Sequence, residues 1–222
     1  MYGIDSKDKN QRIYLLSQIV KICKVFGNGS NNNADELVYK TLVVESQFGS
    51  WKLVDYKFSG HGVGQADMIA VQDTTERLRR RPDLIEKTEQ NFGITLDDFI
   101  GSTPYKEYII KEAESRYHKQ HPYIPIRFHI SDHFKEILLQ TILDYANCLV
   151  LRNDPITSIL YTRFRYLFVP EAIPAEEEEQ YRYYKKYYNS CQGAGSYEKW
   201  IRDTQTDSCL HDLNVIRAIR NT

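Results

Sequence analysis

Residues 42 to 50 read LVVESQFGS: Leu42, Val43 and Val44 run directly into Glu45 and Ser46, and Gly49 follows closely. Leu37, Val38, Leu42 and Val43 recur at the spacing of one helical face, and Asn33 or Asp35 can supply an N-cap. The stretch therefore reads as the end of an amphipathic helix whose last turn carries an acid behind an apolar run. Upstream, residues 8 to 26 place Ile13, Leu15, Leu16, Ile19, Val20, Ile22 and Cys23 at helical spacing, and GNGSNNN at 27 to 33 ends that helix with turn formers.

Downstream the period changes. GSWKLVDYKFSGHGVG, residues 49 to 64, has a short alternation and then closely spaced glycines, which fits a small β-hairpin or irregular lobe. Helical character returns over 66–81 and 83–92, divided by Pro82, then over 103–120 and 130–152. The last of these is the most apolar segment and is expected to be the central buried helix. Segments 155–168, 174–190, 196–203 and 209–219 complete a mainly α count. AEEEEQ at 175 to 180 reads as an acidic first helical turn that suits the helix dipole.

The 222 residues, 41% of them hydrophobic, suffice for one sizeable core, so a single domain over 1–222 is expected, with 1–32 as an N-terminal helix and linker. The 29 basic and 30 acidic side chains nearly cancel, which leaves no global attraction for nucleic acid or an anionic membrane. No window is apolar for the length of a bilayer span, and MYGIDSKDKNQR has no signal-peptide core, so the expectation is a protein kept in a cytosol unless another system exports it. Cys23, Cys148, Cys191 and Cys209 form no CxxC pair and read as reduced packing thiols. The unusual component is tyrosine, 17 in all, crowded into YRYYKKYYN at 181 to 189. Its flat face and hydroxyl suit grooves that hold sugars, peptides or bases.

Three separated pieces carry chemistry. Glu45, sheltered by apolar neighbours, is placed where desolvation favours the protonated form that a general acid needs near neutral pH. GHGVGQAD at 60 to 67 is a glycine-rich turn that allows close backbone approach and ends in the amide of Gln65. YYNSCQGAGSYEKW at 187 to 200 combines aromatics, an amide and a second glycine turn.

In this order, the Glu-Ser helix end, the glycine turn with its glutamine, and Tyr-Asn before a Gly-x-Gly loop and a Trp resemble the goose-type lysozyme and soluble lytic transglycosylase superfamily. The resemblance covers roughly residues 33–70 and 180–203. The family's Leu-Met before the glutamine is absent, its Ala-Gly-Pro-Gly is replaced by Ser190 to Gly195, and residues 71 to 130 have no counterpart. The resemblance implies a lysozyme-like fold with a small β-hairpin lobe, peptidoglycan glycan strands as partner, and no cofactor or metal. It implies Glu45 as catalytic acid, with Ser46, Gln65, Tyr188 and Asn189 binding substrate or orienting the acid. Asp55 and Asp67 flank the glycine turn as the family's auxiliary aspartates do, and are the candidates for positioning water in a hydrolytic route; as ordinary residues they are a turn former and a helix N-cap. A lytic transglycosylase manages with one glutamate as acid and then base. The Tyr-rich segment and missing signal are similar to phage endolysins and tail-associated enzymes, which implies a monomer or virion component acting on the cell wall from the infected host's cytoplasm or the virion.

Two rival readings compete. His118 with His121, and His129 with His133, have spacings that place pairs on one helical face for zinc, but there is no HExxH, and Pro122 and Pro125 interrupt the segment. Arg77 to Arg81, RLRRR, offer a basic face for a nucleic-acid-binding module, diluted by Asp73, Glu76, Asp83 and Glu86.

Overall fold

The computed structural model describes residues 8–49, 60, 62–95, 115, 119, 148, 150–152, 154–189 and 195–222. Helix α1 spans Lys9–Phe26; its cap is Asp8, whose carboxylate accepts from the backbone N–H of Asn10 at 2.9 Å. Gly27, at φ +89°, ends it. Leu15, Leu16, Ile19, Val20, Ile22 and Cys23 face inward as their spacing requires, but Ile13 is 52% exposed: it lies on the outer edge of the stripe.

Helix α2, Ala34–Ser46, is buried nearly all round, and Glu45 is its one residue that is not buried. Asn33 stands at its N-cap position but gives no side-chain cap, its amide donating instead to Pro174 O at 2.7 Å. Asp35 lies inside the first turn and faces Arg220 at 2.6 Å. Glu36 pairs with Arg217 at 2.7 Å, and Lys40 reaches Glu177 at 2.5 Å and Gln180 at 2.9 Å. Charges can lie on so enclosed a helix because each is met by a partner from the C-terminal third of the chain.

After α2 come α3 (Met68–Arg79), α4 (Pro82–Phe92), α5 (Pro155–Leu167), α6 (Glu177–Tyr184), a π-helical turn at Lys185–Asn189, α7 (Tyr197–Thr204) and α8 (Asp207–Arg220). Asp67, Asp154, Ser196 and Thr206 cap α3, α5, α7 and α8 with side-chain oxygens, and Pro82 occupies the first turn of α4, where its missing N–H costs nothing. α1 packs on α2, α5 and α8, while α2 also meets α7. One hydrophobic cluster joins them, with Trp200, Tyr39, Tyr161, Tyr184, Phe48 and Phe164 as its largest enclosed side chains.

The mainly α class is thus observed. Among the described residues there is no strand; the hairpin expected over 49–64 falls mostly on 50–59 and 61, outside them. Most of 103–120 and 130–152 also lies outside them, and among the described residues it is α2 that fills the place expected of the latter. No described helix is long and apolar enough to cross a membrane. Cys23, Cys148 and Cys209 are buried free thiols, and Cys191 lies outside the described residues.

Candidate active site

α2 ends abruptly because Gln47 and Phe48 both adopt left-handed backbone, at φ +52° and +53°. Phe48 is folded back into the core edge-on to Tyr39, with ring centroids 5.3 Å apart. Ser46 sits at the pivot, its hydroxyl donating to Val63 O at 2.7 Å and accepting from Gly49 N–H at 2.8 Å. The glycine turn is thereby tied to the helix that carries Glu45.

That turn, Gly62 to Gln65, lies against α5. A Cβ at Gly62 would stand 2.3 Å from Ser158 Oγ, and one at Gly64 would stand 2.3 Å from Thr162 Oγ1 and 2.6 Å from Tyr188 Oη. Only glycine lets this backbone come so near. Tyr188 Oη donates to Gly64 O at 2.6 Å, and Ser158 Oγ accepts from Gly64 N–H at 3.2 Å. The distant turn and the Tyr-Asn segment are thus joined directly.

Glu45 meets the Tyr-Asn segment from the end of α2. Its Oε1 accepts from Tyr184 Oη at 2.6 Å and from Asn189 Nδ2 at 3.3 Å. These donors are the last residue of α6 and the last of the π-helical turn, and Lys185 Nζ holds Asn189 Oδ1 at 2.8 Å so that the amide nitrogen points at the acid. Burial pushes the Glu45 carboxyl above its ordinary value; the bonds from Tyr184 and Asn189, and the charges of Lys199 and Arg165, pull the other way and do not overcome it. Lys199 is placed by its bond to Val44 O at 2.5 Å and its ion pair with Asp203 at 3.1 Å. Arg165 donates to Tyr188 O at 3.0 Å and lies over the Tyr188 ring, 4.5 Å from its centroid. Behind the acid stands an aromatic wall: Tyr188 stacks on Tyr166 at 5.5 Å, and Tyr184 meets Trp200 at 5.0 Å.

Glu45 and Asn189 therefore meet directly, and Tyr188 and Ser46 bind the 62–65 turn that carries Gln65. Ser46 is fully buried and Tyr188 is 6% exposed, so both act by holding that turn and the wall. Gln65, half-buried with φ +49°, returns its amide to Gly62 O at 2.8 Å. Asp67 is exposed and caps α3, accepting from Ala70 N–H at 2.7 Å. Asp55 lies outside the described residues.

The sequence does not mark Tyr184, Lys199 and Arg165 as partners of the acid. Tyr184 belongs to the stripe Tyr181, Tyr184, Tyr188, whose spacing is equally that of a packed helix face; the lysine and arginine carry no local signal. The four clustered histidines lie outside the described residues, among which no group of three or more His, Cys, Asp or Glu is placed to hold a metal. The RLRRR arginines form surface ion pairs: Arg77 with Asp73 at 3.0 Å, Arg79 and Arg80 with Glu76 at 3.7 and 2.8 Å, and Arg81 with Asp83 at 2.7 Å.

Comparison with known proteins returns no family model, no curated protein and no solved structure that matches this chain.

Proposed function

We propose that this protein is a peptidoglycan-cutting glycosidase of the lytic transglycosylase kind, which breaks the β-1,4 bond between N-acetylmuramic acid and N-acetylglucosamine. The observation that carries the reading is Glu45 itself: a carboxyl raised above its usual pKa by burial, on the one partly open position of an enclosed helix, gripped through one oxygen by Tyr184 and Asn189. With Oε1 occupied, Oε2 is the oxygen that would carry the transferable proton.

In this mechanism Glu45 gives its proton to the glycosidic oxygen as the bond to the muramyl C1 breaks and an oxocarbenium-like centre develops. The carboxylate left behind is stabilised by the two donors and by the nearby charges of Lys199 and Arg165. It then takes the proton of the muramyl 6-hydroxyl, whose oxygen closes on C1 to give a 1,6-anhydro end and a neutral Glu45. One residue is acid and then base, as suits an acid whose neighbours are neutral donors and cations. Asn189 and Gln65 are assigned to positioning sugar and acid, and the site of action is the cell wall.

Mass spectrometry of digested muropeptides tests this. Products one water lighter than reducing-end sugars are expected, and they should vanish with Glu45→Gln. Reducing ends from the wild type would assign a hydrolytic route, with Asp55 or Asp67 positioning water; undiminished cutting by the variant would refute the assignment of Glu45.

A further inference from the structure

A pocket of about 300 Å³ opens between α3, the end of α5 and the π-helical turn, lined among others by Asp73, Arg77, Arg165, Phe168, Val169 and Tyr187. Its charges do not cancel. Asp73 is neutralised by Arg77, whose Nε lies 3.0 Å from both carboxylate oxygens, and Glu171, bonded to the Tyr187 hydroxyl, is matched by Lys186 at 3.3 Å. Arg165 is left over. Its bonds go to the backbone carbonyls of Tyr187 and Tyr188, and no carboxylate is ion-paired with it among the described residues.

A half-buried guanidinium that binds two backbone carbonyls and the face of the Tyr188 ring has no carboxylate taking up its charge among the described residues, and its planar fork suits a planar anion. Phe168, Val169 and the Tyr187 ring, which also line it, suit aliphatic carbons. The volume is at the small end of the range for small-molecule sites, enough for one short charged substituent. Arg165 also acts on Glu45 electrostatically and holds the carbonyl of Tyr188, next to Asn189, so pocket and acid share one cation.

We propose that this pocket binds a carboxylate carried on the muramyl residue of the strand being cut, such as that of its lactyl-linked stem peptide, and that Arg165 recognises it. The proposal rests on the glycosidase reading for the identity of the strand.

The probe is N-acetylglucosaminyl-N-acetylmuramic acid bearing an alanyl-isoglutamine dipeptide, which lacks the bond proposed to be cut, compared by calorimetry with the same compound whose carboxyl is a carboxamide. The wild type is expected to bind the free carboxylate at least about tenfold more tightly, a difference of about 1.4 kcal/mol. Arg165→Gln should erase that preference. So should Val169→Glu, which supplies a carboxylate in place while leaving the carbonyl bonds of Arg165 intact; it decides the matter if the first variant does not fold. Equal affinity of the wild type for both compounds, binding of neither, or a preference surviving in Val169→Glu would overturn the proposal. Absence of this preference in a wild type that cuts the wall normally sinks only the pocket assignment, whereas a wild type that cuts no glycan yet prefers the carboxylate sinks the glycosidase reading and keeps the pocket's ligand.

Discussion

Replacing Glu45 by Gln should make the protein more stable as well as inactive, and the gain should depend on pH. The folded-state pKa of Glu45 is raised, so the folded protein holds this proton more tightly than the unfolded chain does. Its favourable contribution is fully present below the unfolded value near 4.5 and is lost as pH rises through the folded value. Between those two values the wild type loses stability relative to the glutamine variant by up to about 1.4 kcal/mol per pH unit, the limit for one proton. Above the folded value the difference levels off. Glutamine keeps the side-chain shape and an oxygen to accept from Tyr184 and Asn189, so below the unfolded value the two proteins should differ little. Every other carboxylate titrates in both and cancels. Urea unfolding of the pair at a series of pH values from 4 to 8 measures the difference curve, and turnover of peptidoglycan should meanwhile fall by about 10²- to 10⁴-fold. A stability difference that stays flat with pH, or one that grows toward acid, would refute the account of Glu45 as a carboxyl whose pKa burial raises.

Tyr184→Phe removes a bond that favours the carboxylate, so the alkaline limb of the pH–rate profile should move upward; an unmoved or acid-shifted limb would contradict the assigned contact. Gly64→Ala forces a methyl against Thr162 and Tyr188 and should break the two buried hydrogen bonds of that glycine, costing about 2 to 6 kcal/mol at about 1 to 3 each, as read from the urea midpoint. Arg220→Ala strands Asp35 without its guanidinium and should cost about 3 to 5 kcal/mol, part of which Asp35→Asn in the same background should restore.

The helices that end in polar caps were legible from sequence. Segments 8–26, 155–168 and 196–203 match α1, α5 and α7 within a residue or two, and in the structure Asp8, Asp154 and Ser196 fix their starts by capping them. The candidate site was legible as three separate pieces, and the residues that join them were only partly so. Asp35 illustrates the limit: an acid in a first helical turn has a sufficient local explanation as a dipole or cap residue, and nothing nearby reveals an arginine 185 residues later. Tyr184 has the same difficulty, since its spacing fits a packed face and its bond to Glu45 spans 139 residues. Ile13 fails in the opposite sense: an apolar residue at the margin of a stripe fits the pattern and yet faces water.

The π-helical turn decides more than a local irregularity of the backbone. Five residues of α-helix advance by 100° each, which would leave Tyr184 and Asn189 about 140° apart around the axis, aimed at different neighbours. The wider winding of Lys185–Asn189 brings both onto one oxygen of Glu45. The grip on the acid is therefore a matter of winding: the same five steps taken as ordinary helix would part the two donors, and the wider loop keeps a hydroxyl and an amide five residues apart on one side of the chain. A one-codon deletion there, rewound as ordinary helix, would leave the donors four residues and about 40° apart, still on one face, so the π winding is what lets the chain carry its extra residue without losing the grip.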